Sequence, residues 1–173
     1  MTKNTGLYTK KVFQHFQNPK NMGRLKDPDG VGKVGNLTCG DVMWLYIKVG
    51  KNKRKQEIIK DIKFETFGCV AAIATSSAIT DLALNKTIEQ ALRISKTQIV
   101  KSLGGLPPIK LHCSVLAADA LLEAIYDYFK KQKRVISKEL GESHQQIQSS
   151  REHIEKRYSE WTKLEEKIRK AKK

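Results

Sequence analysis

The sequence predicts an α+β domain: a small antiparallel three-stranded sheet packed against helices, plus a C-terminal helical extension. Three observations predict it. Apolar and polar residues alternate between Val42 and Thr66, helical spacing of apolar residues takes over at Val70, and past Phe129 the composition turns to Lys, Glu, Gln, Arg and Ser. The domain is placed at 1–130 and a basic, charged helical extension at 131–173.

Taken in order, Leu7 to Phe16 carries Tyr8, Val12 and His15/Phe16 at helical spacing, with Thr5 as its cap, and Asn18-Pro19 ends it. The turn-rich passage from Gly23 to Gly35 surrounds a short strand near Val31–Val34. Val42 to Val49 places Met43, Leu45, Ile47 and Val49 on one face and Trp44 and Tyr46 on the other, the pattern of a central strand. Gly50 to Lys55 is a charged hairpin connection, and Glu57 to Thr66 its partner strand. Val70 to Leu84 is a helix rich in small residues, Thr87 to Ile94 a helix opened by Thr87 with Gln90 at the capping-box position, and Thr97 to Leu103 a further helical turn. After Leu106-Pro107-Pro108 a long helix starts near Lys110, with Leu111, Val115, Ala118, Leu122, Ile125 and Phe129 on its apolar face and Asp119, Glu123 and Asp127 on the polar one. In the extension Leu140, Ile147, Ile154, Trp161 and Ile168 recur every seventh residue, but the second seam of a heptad is mostly polar. The segment is read as a helix, broken near Gly141, that packs weakly on itself, on the domain or on a partner.

Composition excludes several functions. The 173 residues carry 33 Lys+Arg against 18 Asp+Glu, a formal net charge of +15. The excess is spread, with 20 basic and 11 acidic residues in 1–130 and 13 and 7 in 131–173. No concentrated stripe or recognised motif marks a nucleic-acid binder, so no specific nucleic acid is expected, and an acidic protein partner explains the charge equally well. No run of 18 apolar residues exists, hence no spanning helix and no membrane partner. Three cysteines cannot all pair within one chain, which points to free thiols in a reducing compartment.

Those cysteines stand at junctions between elements. Cys39 is followed by Gly40-Asp41, Cys69 is preceded by Phe67-Gly68, and Cys113 is preceded by His112. The glycines permit tight turns or the close approach of a ligand. Cys69 and Cys113 fall at helix starts, where the dipole is expected to ease ionisation of their thiols. Three sulfurs and an imidazole suit tetrahedral zinc; three sulfurs with one nitrogen or oxygen equally hold a small iron–sulfur cluster, and the spacing does not separate the two. His15 is expected to be structural or on the surface, and His144 and His153 exposed.

Cys39-Gly40-Asp41, Phe67-Gly68-Cys69 with Ala71, Ala72 and Ser76-Ser77, and Leu106-Pro107-Pro108-Ile109-Lys110-Leu111-His112-Cys113-Ser114 resemble the U-type iron–sulfur cluster assembly scaffolds, the IscU family, also found as the N-terminal domain of NifU. Tyr8, Val12, His15, Asn18-Pro19, Asn21 and Gly23 fit as well, so the resemblance covers about residues 6–130. It implies a non-enzymatic scaffold that assembles a [2Fe–2S] cluster from iron and persulfide sulfur and passes it to apo-proteins. By the same resemblance Cys39, Cys69 and Cys113 ligate the cluster with Asp41 or His112 completing the set, and these residues can hold iron or zinc beforehand. Cys113 accepts persulfide from a cysteine desulfurase, Asp41 keeps the cluster labile, and Leu106 to Lys110 (Leu106, Pro107, Pro108, Ile109, Lys110) is the segment recognised by an Hsp70-type chaperone. Because the match already runs at Tyr8, little room is left for a cleaved transit peptide, and a cytoplasmic protein is expected.

Departures narrow the reading. Phe67 stands where many relatives have Tyr, and no cysteine follows Cys113, so the further domains of full-length NifU have no counterpart. The alternative is a zinc-dependent sulfurtransferase of the SufU type, but that branch typically carries an insertion between the second and third cysteines and lacks the histidine before the third. Here His112 is present and no insertion is evident. The extension matches nothing in the family and leaves open a homo-oligomer and the choice of partner.

Overall fold

The computed structural model describes residues 7–36, 40–150, 152 and 156. Strands β1 (Gly30–Asn36), β2 (Asp41–Lys51) and β3 (Glu57–Phe67) form an antiparallel sheet in the order β1-β2-β3. The expected alternation places Met43, Leu45 and Ile47 in the core, in register with Ile62 and Phe64 of β3. A register shift between Lys48 and Val49 ends the strict alternation, which leaves Val49 half-buried instead of in line with Ile47.

Helices cover the core-facing side. They are α1 (Lys10–Gln17), α2 (Val70–Ala83), α3 (Ile88–Leu92), α4 (Lys96–Ser102) and α5 (Leu111–Lys131), the last preceded by a 3-10 turn at Pro108–Lys110. A further helix, α6, runs over the described residues 138–150. The first helix starts later than its apolar spacing suggests: Thr9 is the cap, its hydroxyl accepting from Val12 N, and Thr5 lies outside the described residues. Thr87 and Gln90 form the expected capping box on α3, and Ser95 with Gln98 forms a second one on α4.

Two expectations for the C-terminal half are corrected. On α5 the buried face is Cys113, Leu116, Ala117, Ala120, Leu121, Ala124, Ile125 and Tyr128, whereas Leu111 and Val115 are exposed. The cause is close packing on β1. A Cβ on Gly32 would sit 2.0 Å from the carbonyl oxygen of Ala120, and one on Gly30 2.2 Å from that of Ala124. Glycines on the strand face alanines on the helix, and a count of bulky residues points away from that contact. The second correction is that α6 passes through Gly141 unbroken and returns antiparallel along α5, where Leu140 is buried and His144 half-buried. His153 and the later seam residues Ile154, Trp161 and Ile168 lie outside the described residues.

Candidate functional site

β2 opens at Asp41, β3 runs out at Phe67, and α5 begins at Leu111, so three junctions meet at one end of the sheet. The carboxylate of Asp41 is the hub. Its side chain is 2% exposed; Oδ1 accepts from Cys69 N at 3.3 Å and Oδ2 from Cys113 Sγ at 3.6 Å. Asp41, His112 and Cys113 each offer a ligand atom, and these atoms all lie within 4.8 Å of one another. Nε2 of His112 is buried and has no hydrogen-bond partner among the described residues. An imidazole beside a carboxylate and a thiol suits a cation, and an unmet buried polar atom is otherwise costly.

The backbone is shaped to let these groups meet. Gly40 adopts φ +72°, a conformation that disfavours side chains, and turns the chain into Asp41. At Gly68 a Cβ would stand 2.7 Å from Asp41 Oδ1 and 2.7 Å from the Ala72 Cβ, so only glycine lets the β3–α2 turn close on the carboxylate. Thr75 on α2 donates to the carbonyl oxygen of Cys113 at 3.2 Å and thereby ties the start of α5 to α2. Cys69 is the N-cap residue of α2, half-buried, with no side-chain cap bond of its own.

The electrostatics correct the expectation that both helix-start thiols ionise easily. Burial pushes the Cys113 thiol well above the ordinary range, and the neighbouring Cys69 and Asp41 push it further. A helix N-terminus contributes only about 0.3–1 kcal/mol, too little to offset removal of a thiolate from water beside like charge. Two nearby groups carry no local signature in the sequence as members of this site. Lys110 has its ammonium pKa raised chiefly by the Cys69 sulfur, and Tyr8 has its phenol raised by burial and then by Cys69. Lys110 thus faces a predicted ligand, besides belonging to the Leu106–Lys110 segment.

Of the residues expected from sequence, Asp41, Cys69, His112 and Cys113 come together here. Cys39 lies outside the described residues, two positions before Asp41 in the chain. Leu106 and Pro107 are partly buried at the rim, and Pro108 and Ile109 are exposed, Ile109 by 74%. His15 is structural, its Nδ1 2.8 Å from Ser77 Oγ.

An α+β domain with thiol, carboxylate and imidazole groups gathered at one end of its sheet offers a donor set that suits a metal ion. The chain belongs to the family described as NifU-like N terminal domain, which it matches over residues 7–135. It is 57% identical over 136 residues to the iron-sulfur cluster assembly scaffold protein IscU 1 of Archaeoglobus fulgidus, covering 78% of this chain and 86% of that one. It is 50% identical over 127 residues to the iron-sulfur cluster assembly scaffold protein IscU of Azotobacter vinelandii, covering 72% and 95%. Its fold is shared with the crystal structure of a nitrogen-fixing NifU-like protein (N-terminal) from Brucella abortus, at a TM-score of 0.57 and 22% identity over 72% of this chain and 96% of that one.

Proposed function

We propose that the protein is an iron–sulfur cluster assembly scaffold: it receives sulfur and iron, holds the nascent cluster as cargo and passes it to apo-proteins. The observation that carries this reading is the convergence of Asp41, His112 and Cys113 within 4.8 Å, with Cys69 joined to them through Asp41 and with Nε2 of His112 left unpaired among the described residues. Cys39, Cys69 and Cys113 are the thiolate ligands of a [2Fe–2S] cargo, and Asp41 or His112 supplies the fourth position. A carboxylate is a hard partner for iron already satisfied by sulfur, which suits a site that must let go. Iron, or zinc as a stand-in, occupies the same donors before sulfur arrives.

Sulfur enters at Cys113. Its thiolate attacks the outer sulfur of the persulfide on a cysteine desulfurase; the donor's S–S bond breaks, a new one forms to Cys113, and the desulfurase cysteine leaves as thiolate. Each sulfane sulfur then takes two electrons from a reductant to become cluster sulfide. Cys113 is almost fully buried and favours its protonated form, so deprotonation requires a bound cation or a local opening of the pocket. The rim segment Leu106–Lys110 presents Pro108 and Ile109 to solvent, and an Hsp70-type chaperone is the proposed reader of it.

The test is anaerobic incubation of the protein with iron, cysteine, reductant and a desulfurase. The expected result is the absorption of a [2Fe–2S] centre, with a longer-lived chromophore in Asp41→Ala. Zinc binding without any chromophore, and sulfur-transfer activity lost on zinc removal, would instead indicate the zinc-dependent sulfurtransferase.

A further inference from the structure

The family match ends at residue 135, before α6 begins, yet α6 is joined to the domain by a built contact. Its anchor is Glu123 of α5, only 7% exposed. Both carboxylate oxygens are satisfied from α6: Oε1 lies 2.8 Å from His144 Nδ1, and Oε2 accepts from Gln148 Nε2 at 2.7 Å. The His144 ring lies flat on Tyr126, with centroids 3.7 Å apart and planes 8° from parallel. Leu140 is buried, and Ile147 packs against the core. Farther along, a cavity of about 300 Å³ is lined by Ile147 and Ser150 of α6, Val115 and Asp119 of α5, and Val34 and Gly35 of β1.

One helix therefore packs on the arm that carries His112 and Cys113 and faces the end of β1 across this cavity. α5 delivers His112 and Cys113 from its first turn, and β1 ends at Asn36, three residues before Cys39. We propose that α6 is a detachable brace of the site: docked, it fixes α5 against the end of β1 and holds the ligand-bearing arms at their binding distance; undocked, it loosens them and weakens the grip on cargo. This rests on the scaffold reading of the site.

Detachment is physically accessible. α6 is joined to α5 through residues 132–137, and of its residues 138–150 only Leu140 is buried, so it can leave α5 as one local event. The anchor is also polar, so an amphipathic groove on a partner with its own acceptor for His144 and Gln148 can compete for the helix. Linkage makes the coupling reciprocal: whatever factor docking adds to cargo affinity, cargo adds to docking.

The test uses the full chain, zinc(II) as the probe and hydrogen exchange as the second readout, on His144→Ala/Gln148→Ala and, separately, Ile147→Asp. In both variants the amides of 138–150 should exchange about tenfold faster. Those of 111–118 and 30–36 should lose protection, those of β3 should not, and zinc affinity should fall about fivefold or more. In the unaltered protein, zinc should slow exchange across 138–150. The proposal is overturned if α6 is released while 111–118 and zinc affinity are unchanged, if both variants leave α6 fully protected, or if the unaltered protein takes no zinc at this site. None of these readouts needs a cluster to form, so loss of coupling beside a normal iron–sulfur chromophore overturns the brace alone, whereas absence of any chromophore overturns the scaffold reading.

Discussion

At Gly68 the space for a Cβ is already taken by Asp41 and Ala72. Gly68→Ala must push the carboxylate off its bond to Cys69, and displacing a residue that orients ligands typically costs about 10–100-fold in metal affinity. Zinc titration should show that loss, while the far end of the sheet keeps its exchange protection. The cysteines should differ in reactivity. Cys113 is buried and held as a thiol, whereas Cys69 is half-buried, so in metal-free protein at pH 7.5 iodoacetamide should label Cys69 about tenfold faster or more. Equal rates, read by peptide mass spectrometry, would show that the pocket opens freely. At this scale the sequence was legible where a residue type is itself the chemistry: Asp41, His112 and Cys113 offer ligand atoms within 4.8 Å of one another and Cys69 is joined to Asp41 through its backbone N–H, while Cys39 lies outside the described residues. The ionisation of Cys113 was not legible, because burial is set by the packing of α2 and α5 and leaves no trace in the flanking letters.

Among the elements, the contact of α5 with β1 matters most for the site, since it decides where His112 and Cys113 point. Gly32→Ala would place a methyl 2.0 Å from the Ala120 carbonyl oxygen, so α5 must lift from the strand. Overpacking of this kind costs about 1–3 kcal/mol, to be read as a lowered urea midpoint, and here zinc affinity should fall with it. Thr87→Ala removes one half of a capping box far from the site; it should cost about 1 kcal/mol and leave zinc affinity alone. The strands and the caps of α3 were readable because alternation and capping are local rules. On α5 Ile125 was expected and is buried, but the strip that faces β1 was missed because Ala120 and Ala124 make it against Gly32 and Gly30, which hydrophobic spacing undervalues. Ser95 of α4 was a missed cap, although Gln98 three residues on carries the same signature as Gln90.

For the whole molecule, the docking of α6 buries acidic side chains of α5, and stability should register it. Asp119, beside the cavity under α6, has its carboxyl pushed up to about 6, mainly by burial, then by Glu123, with Lys96 of α4 opposing. A raised carboxyl pKa means that the contribution of protonated Asp119 is complete below its unfolded value near 3.8 and is lost as pH rises through about 6. Asp119→Asn should therefore stabilise the protein at pH 8 by about 1–2 kcal/mol, allowing for partial exposure, with the gain vanishing near pH 4. A gain independent of pH would assign the effect to packing. The extension was the least legible part of the chain: its composition is that of a solvated helix, and the Glu123, His144 and Gln148 contact joins residues whose partnership no local pattern records.

The proposed function requires distant segments to deliver cysteine sulfur to one iron-binding pocket. The most direct measurement is iron X-ray absorption on protein reconstituted anaerobically with iron and desulfurase-derived sulfur. The expected spectrum shows a first shell dominated by sulfur with a short iron–iron vector, both lost in Cys69→Ser or Cys113→Ser. A shell of oxygen and nitrogen alone, unchanged by those substitutions, would contradict it.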